Sequence, residues 1–222
     1  PAFIHGGPFA NIAHGNSSII GDSIAFSCAD YVVTEAGFGA EMGAEKALQI
    51  KAQAAGKVPD CLILNVTVRA MKLHGGGFST GGGKRPPKEE LEGENVEATR
   101  SGATTNLRRH VLNLSSTNVP VIVSINRFSS DTDAELEAIR EEAIAAGARD
   151  VVIFEGHAKG GEGAVNLADA VVEACAAHDV AGRPYDPIVE PGMPADQTIL
   201  RIATKVYGAH TVDFSPEANK TL

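Results

Sequence analysis

An α/β fold, with a mostly parallel sheet and helices on both faces, follows from three features of the sequence. Short β-branched runs alternate with Ala/Glu/Lys-rich stretches, the pattern of successive β-α-β units. The runs are apolar at consecutive positions, as strands covered on both sides are. Glycine-rich turns follow them, at the strand ends where open α/β sheets place ligand loops. A doubly wound arrangement is the expectation.

Taken in order, residues 2–5 and 31–34 (YVVT) predict short strands, and a glycine turn leads into a helix over 41–55 that stops at Gly56. Residues 61–68 (CLILNVTV) predict a buried strand, 119–126 (VPVIVSIN) another and 150–154 (DVVIF) a further one. Thr132-Asp133-Ala134-Glu135 is a capping box that starts a helix ending at Gly147. Further helices are expected over 165–177 and over 196–206, the last closed by Gly208. Residues 75–88 (GGGFSTGGGKRPPK) are too rich in Gly and Pro for regular structure and predict a mobile surface loop. Residues 179–194 carry four prolines and link the last two helices. A long helix ends near 113–118, where a new β-α-β unit begins. The boundary expected there divides residues 1–116 from 117–222.

The chain has 222 residues, with 43% hydrophobic and 21% charged residues, a globular composition that excludes wholesale disorder. No apolar run approaches the ~18–20 residues of a membrane span. The opening PAFIHGGPFANIAHG lacks the basic and apolar regions of a signal peptide. It also lacks an initiator Met, and both ends read as cut. Cys28, Cys61 and Cys175 are scattered, without a CxxC pair, which fits a reducing cytoplasm better than a disulfide framework. The formal charge of −9 disfavours nucleic acid or an anionic membrane as main partner.

Four segments carry candidate chemistry. In the turn Thr34-Glu35-Ala36-Gly37-Phe38-Gly39-Ala40, the glycines Gly37 and Gly39 open the backbone to a phosphate or carboxylate, with a helix N-terminus behind. The plain alternative is a tight turn and nothing more. A dinucleotide fingerprint also needs a ribose-binding acid at the end of the next strand, and Val66-Thr67-Val68-Arg69 supplies none. Residues 61–88 hold Arg69, Lys72, His74, Lys84, Arg85 and Lys88 and no acid. They read as an anion site or as a solvated basic loop. Gly83-Lys84 is not a P-loop, because Phe78 stands at the first glycine and Arg85 at the Ser/Thr position. In Ile125-Asn126-Arg127-Phe128, Asn126 can read a heterocycle edge and Phe128 can stack on its face. Otherwise Phe128 fills core. Glu155-Gly156-His157-Ala158-Lys159-Gly160-Gly161 follows the next strand. No HxxxH or HExxH spacing occurs, so no zinc site is expected. Four such loops at the ends of separate strands point to one shared cleft.

These segments together resemble the formate–tetrahydrofolate ligase family. PAFIHGGPFANIAHG, DYVVTEAGFGAEMGAEK, TVRAMKLHGGG, VPVIVSINRFSSDTDAELEAI, HAKGGEGAVNLADAVV and IATKVYGAHTVDFSPEA stand in the family's order. TVRAMKLHGG resembles the signature VAT(I/V)RALK-x-(H/N)-GG, with Asn65, Val66 and Met71 where Val, Ala and Leu are expected. The resemblance implies a fold related to the P-loop NTPases. It implies ATP-dependent ligation of formate to tetrahydrofolate through formyl phosphate, with Mg-ATP as substrate and a monovalent cation. It also implies a cytoplasmic homotetramer of a much longer chain, whose P-loop and KGGAAGGGY signature precede the part seen here.

Carried over by position, Phe128 matches the residue that stacks on the pterin. His157 falls where the family has a Trp on the other side, so the two are expected to flank a slot for a flat ring. Phe38 matches an aromatic of the same cleft. Arg69 and Lys72 stand at signature positions and are the candidate catalytic cations. Gly37, Gly39, Lys159, Gly160 and Gly161 are candidates for the nucleotide, and Asn126 joins Phe38, Phe128 and His157 as a substrate contact. The competing readings are a dinucleotide-dependent oxidoreductase and a non-catalytic α/β fragment.

Overall fold

The computed structural model describes residues 18–37, 39–76, 78, 86–182 and 184–222. In chain order the elements begin with α1 (Ile19–Phe26), then α2 (Gly43–Lys46), which runs through a π-turn (Ala47–Ala52) into α3 (Gln53–Ala55). β1 (Leu62–Val66), α4 (Val68–Gly75), α5 (Lys88–Glu92) and α6 (Val96–Gly102) follow, and a second π-turn (Ala103–Leu107) joins α6 to α7 (Arg108–Ser115). Then come β2 (Val121–Asn126), α8 (Asp133–Ala145), β3 (Asp150–Phe154), α9 (Gly156–Lys159), α10 (Val165–Ala181), α11 (Ala195–Arg201) and α12 (Pro216–Thr221). They fall into two compact units, one from Pro1–Pro59 with Tyr185–Leu222 and one from Asp60–Pro184.

The unit Asp60–Pro184 is built on a parallel sheet of order β1-β2-β3. Central β2 is buried at Val121, Ile122, Val123, Ser124 and Ile125, as a run apolar on both faces predicts, with Ser124 its one buried polar side chain. Val123 and Ile125 pack with Met71, Leu107, Val111, Leu136 and Ile139 from α4, the second π-turn, α7 and α8. Ile122 and Val152 face the other way and meet Ala174 of α10. Helices therefore cover both faces of a parallel sheet.

The start of α8 is set by chemistry legible in the sequence. Thr132 Oγ1 accepts from the Glu135 N–H, and Glu135 Oε2 accepts from the Thr132 N–H at 3.1 Å. Thr132→Ala removes half of this exchange and is expected to lower stability by about 1 kcal/mol. The urea midpoint at unchanged slope measures it, and an unshifted midpoint would show that the box contributes nothing.

The other unit joins the helix of α2 and α3 to the segment after residue 184. Tyr185 Oη donates to the Leu48 carbonyl at 2.7 Å, Gln53 Nε2 donates to the Val189 carbonyl at 2.7 Å, and the Val189 N–H donates to Gln49 Oε1 at 3.0 Å. Lys51 pairs with Asp22 of α1.

Several expectations are corrected. Residues 31–34 form no strand: they are irregular, and Val33 is 80% exposed. β-Branched residues favour a pleated, half-buried surface, and among the described residues no strand pairs with these. The strand expected over 61–68 is shorter and less buried. Among the described residues β1 is a sheet edge, with Ile63 42% exposed, and it ends because Thr67 caps α4, its Oγ1 accepting from the Ala70 N–H. The boundary expected at 116 falls inside the second unit, where β1 and β2 are hydrogen-bonded neighbours. The strand expected at 2–5 and most of the loop 75–88, including Lys84 and Arg85, lie outside the described residues.

Candidate functional site

In a parallel sheet all carboxyl ends lie on one edge, so the segments after β1, β2 and β3 are brought side by side. Arg69 is the second residue of α4, just past β1. Phe128 lies two residues past β2, and His157 three past β3. The pairing Asn126↔Phe154 holds the last two loops in register, and the Arg127 N–H extends it by donating to the Phe154 carbonyl at 3.0 Å.

Phe128 is the best-fixed of these residues. Its N–H donates to Asp131 Oδ2 at 2.8 Å, and the Arg69 guanidinium lies 4.9 Å from its ring centroid, inside the range of a cation–π contact. The ring is half-buried, and Asp131 is buried. Burial pushes the Asp131 carboxyl above its usual range, and the hydrogen bond from Phe128 opposes that shift. Arg69 Nη2 also donates to Glu92 Oε1 at 2.6 Å. Asn126 is half-buried at the strand end beside this group.

Lys72 is not placed to meet a ligand. It is 1% exposed, and its ammonium reaches Glu135 Oε1 at 2.6 Å, the Gly93 carbonyl at 2.7 Å and the Leu91 carbonyl at 3.2 Å. An ammonium has three donors, and all three are used inside the protein. Burial would raise the Glu135 carboxyl pKa. The bonds from Lys72 and from the Asn95 and Thr132 N–H groups outweigh burial and hold it below the usual value.

The loop after β3 is drawn tight by glycine. The Glu155 N–H donates to the Gly163 carbonyl at 3.1 Å, and a Cβ at Gly163 would meet the Glu155 carbonyl oxygen at 2.5 Å. His157, Lys159, Gly160 and Gly161 are exposed on it, with Lys159 paired to Glu155 at 2.5 Å. Gly37 and Gly39 belong to the other unit. There they make a close turn, since a Cβ at Gly43 would fall 1.8 Å from the Gly37 carbonyl oxygen. Phe38 lies outside the described residues.

Three residues of this site were not anticipated. Asp131 stands three positions after Phe128, a turn spacing open to reading. Glu92 and Glu135 reach Arg69 and Lys72 across 23 and 63 positions of sequence, by folding alone. Among the described residues, no group of three His, Cys, Asp or Glu side chains could hold a metal ion, and no helix is long and apolar enough to cross a membrane. Burial first, then Cys175, pushes the Cys61 thiol up to about 12, so it stays protonated at neutral pH and is no nucleophile.

Comparison with known proteins gives one consistent result. The family profile described as formate–tetrahydrofolate ligase matches residues 1–222. A curated formate–tetrahydrofolate ligase of Desulforamulus reducens is 44% identical over 219 residues, covering 99% of this chain and 38% of that protein. The chain thus spans well under half the length of that relative.

Proposed function

The chain belongs to the formate–tetrahydrofolate ligase family, and from that premise we propose that it forms the tetrahydrofolate-binding part of an enzyme that ligates formate to tetrahydrofolate with ATP. Phe128 carries the reading. It is an aromatic ring held at the carboxyl end of the central parallel strand, fixed through both its backbone and its ring. Such a ring offers a stacking face to a pterin, and Asn126 beside it offers a donor and an acceptor to the heterocycle edge. His157 is the second wall of the slot. The glycine loop with Lys159, Gly160 and Gly161 serves the nucleotide, and the turn of Gly37 and Gly39, in the other unit, is a separate candidate for a phosphate.

In the reaction a formate oxygen attacks the γ-phosphorus of ATP and ADP departs, leaving formyl phosphate. The N10 amine of tetrahydrofolate attacks the formyl carbon, phosphate leaves, and the amine proton is lost. Catalysis here is positioning and charge neutralisation. Mg2+ enters with ATP. No described residue is assigned to it or to a monovalent cation. A relation to the P-loop NTPases, a cytoplasmic setting and a homotetramer of the full-length protein belong to the same proposal. The 222 residues contain no GxxxxGK(S/T) segment, so by themselves they should not turn over. Formate-dependent ADP release by the chain alone, above a blank, would refute that part.

In the full-length protein, ADP formation should require formate, and its continued turnover should also require tetrahydrofolate to discharge the formyl phosphate. Phe128→Ala is expected to raise the KM for tetrahydrofolate about tenfold, from a lost stack and lost buried area, with the KM for ATP unmoved. An unchanged KM for tetrahydrofolate would sink the stacking reading.

A further inference from the structure

We propose that Arg69 is a positioning residue that backs the Phe128 ring, so that Arg69, Phe128 and a flat, electron-rich pyrimidine-type ring form a three-layer stack. The inference rests on the reading that Phe128 stacks on the pterin. It replaces the role as an anion contact that the basic segment by itself suggests.

An anion contact would leave the guanidinium untethered until the ligand arrives, whereas Arg69 is already held by protein groups. Arg69 has its Nη2 committed to Glu92 Oε1 at 2.6 Å, and its Nε is buried without an acceptor among the described residues. Its Cζ lies over the ring of Phe128, 4.9 Å from the centroid. Glu92 tethers the guanidinium from α5, while the Asp131 carboxylate tethers the Phe128 backbone. The two halves of the stack are therefore anchored separately, one after β1 and one after β2. These strands are neighbours in register, with Val66 opposite Ile125.

A ring has two faces. A cation over one face draws π density toward itself, which leaves the other face less electron-rich. Such a face favours an electron-rich partner over an electron-poor one, because aromatic stacking is governed by the ring quadrupoles. An amino-substituted pyrimidinone fused to a reduced ring is an electron-rich partner. The cation thus acts on the substrate through Phe128, without touching it.

The test is a double-mutant cycle in the full-length protein, with Arg69→Leu, Arg69→Lys, Phe128→Ala and the combination of Arg69→Leu with Phe128→Ala. Arg69→Leu is expected to raise the KM for tetrahydrofolate about five- to tenfold while kcat and the KM values for ATP and formate move less than threefold. Arg69→Lys should rescue little, because a lysine lacks the planar group that covers the ring. Adding Arg69→Leu to Phe128→Ala should change nothing further. A fall in kcat with the KM for tetrahydrofolate unmoved would overturn the proposal. So would full rescue by Lys, the mark of a simple charge contact, or additive effects in the double variant. If Phe128→Ala itself leaves the KM for tetrahydrofolate unchanged, the pterin reading fails and this inference falls with it. If Phe128→Ala acts and Arg69→Leu does not couple to it, this inference alone fails.

Discussion

Lys72→Met is expected to destabilise the protein by about 3–5 kcal/mol, because it leaves a carboxylate buried without its counter-charge. Glu135 is wholly buried, and Lys72 supplies its charged partner at 2.6 Å. The same ammonium satisfies the Leu91 and Gly93 carbonyls, so three acceptors lose a donor at once. Urea unfolding measures the loss, and a wild-type midpoint would refute it. The pH dependence carries a sign. In the wild type the Glu135 pKa is held low, so its contribution is present above the ordinary carboxylate pKa of ~4.3. It disappears as the pH falls through the lowered value. In Lys72→Met burial dominates and raises the Glu135 pKa. That variant should be penalised most at neutral pH, and its deficit should shrink as the pH drops toward 4. A deficit constant between pH 7 and pH 4 would show that the Glu135 charge is not the cause. A folding defect, not a lost ligand contact, is therefore the expected effect of Lys72 substitutions, since all three donors of its ammonium are used inside the protein.

Gly102→Ala should be nearly as damaging. A Cβ there would lie 1.9 Å from the Met71 carbonyl oxygen, and one at Gly75 would lie 1.8 Å from the Ala98 carbonyl oxygen. The two glycines are reciprocal: each lets the backbone of α4 or α6 touch the other helix. The obstructing atoms are backbone, so no side chain can swing away and the helices must separate. Overpacking costs typically ~1–3 kcal/mol and sometimes more, and this contact belongs at the upper end. For a chain of this size that is a fall in Tm of roughly 6–12 °C at ~2–4 °C per kcal/mol. Gly161→Ala meets nothing within 4 Å and is the matched control. Equal melting of the two variants would show that the helices do not rely on glycine to approach.

Elements whose cause is local were legible in the sequence. The run 121–125, apolar on both faces but for Ser124, is best satisfied between two helical layers, and β2 is there. Residues 150–154 predicted β3 to the residue. Thr132 and Glu135 wrote the start of α8, because a capping box is complete within four positions. The placement of Phe128 at a strand's carboxyl end was legible for the same reason: a strand followed by a capped helix leaves a short loop in between.

The tertiary structure decided whatever depends on a distant partner. Residues 31–34 carry strand-forming side chains, but a strand exists only where another pairs with it. Val68 continues a β-branched run, yet Thr67 turns the chain into α4, and Ala70 at the third helical position gave no capping-box warning. The basic segment 61–88 looks like a free cationic patch because its counter-charges are remote. Glu92 and Glu135 reach Arg69 and Lys72 only after α5 and α8 pack against α4. Two lysine or arginine side chains of equal formal charge thus take unlike roles, one buried as a structural tie and one laid across an aromatic ring. Formal charge is local to a residue, but its availability depends on desolvation and on partners that only the folded chain assembles.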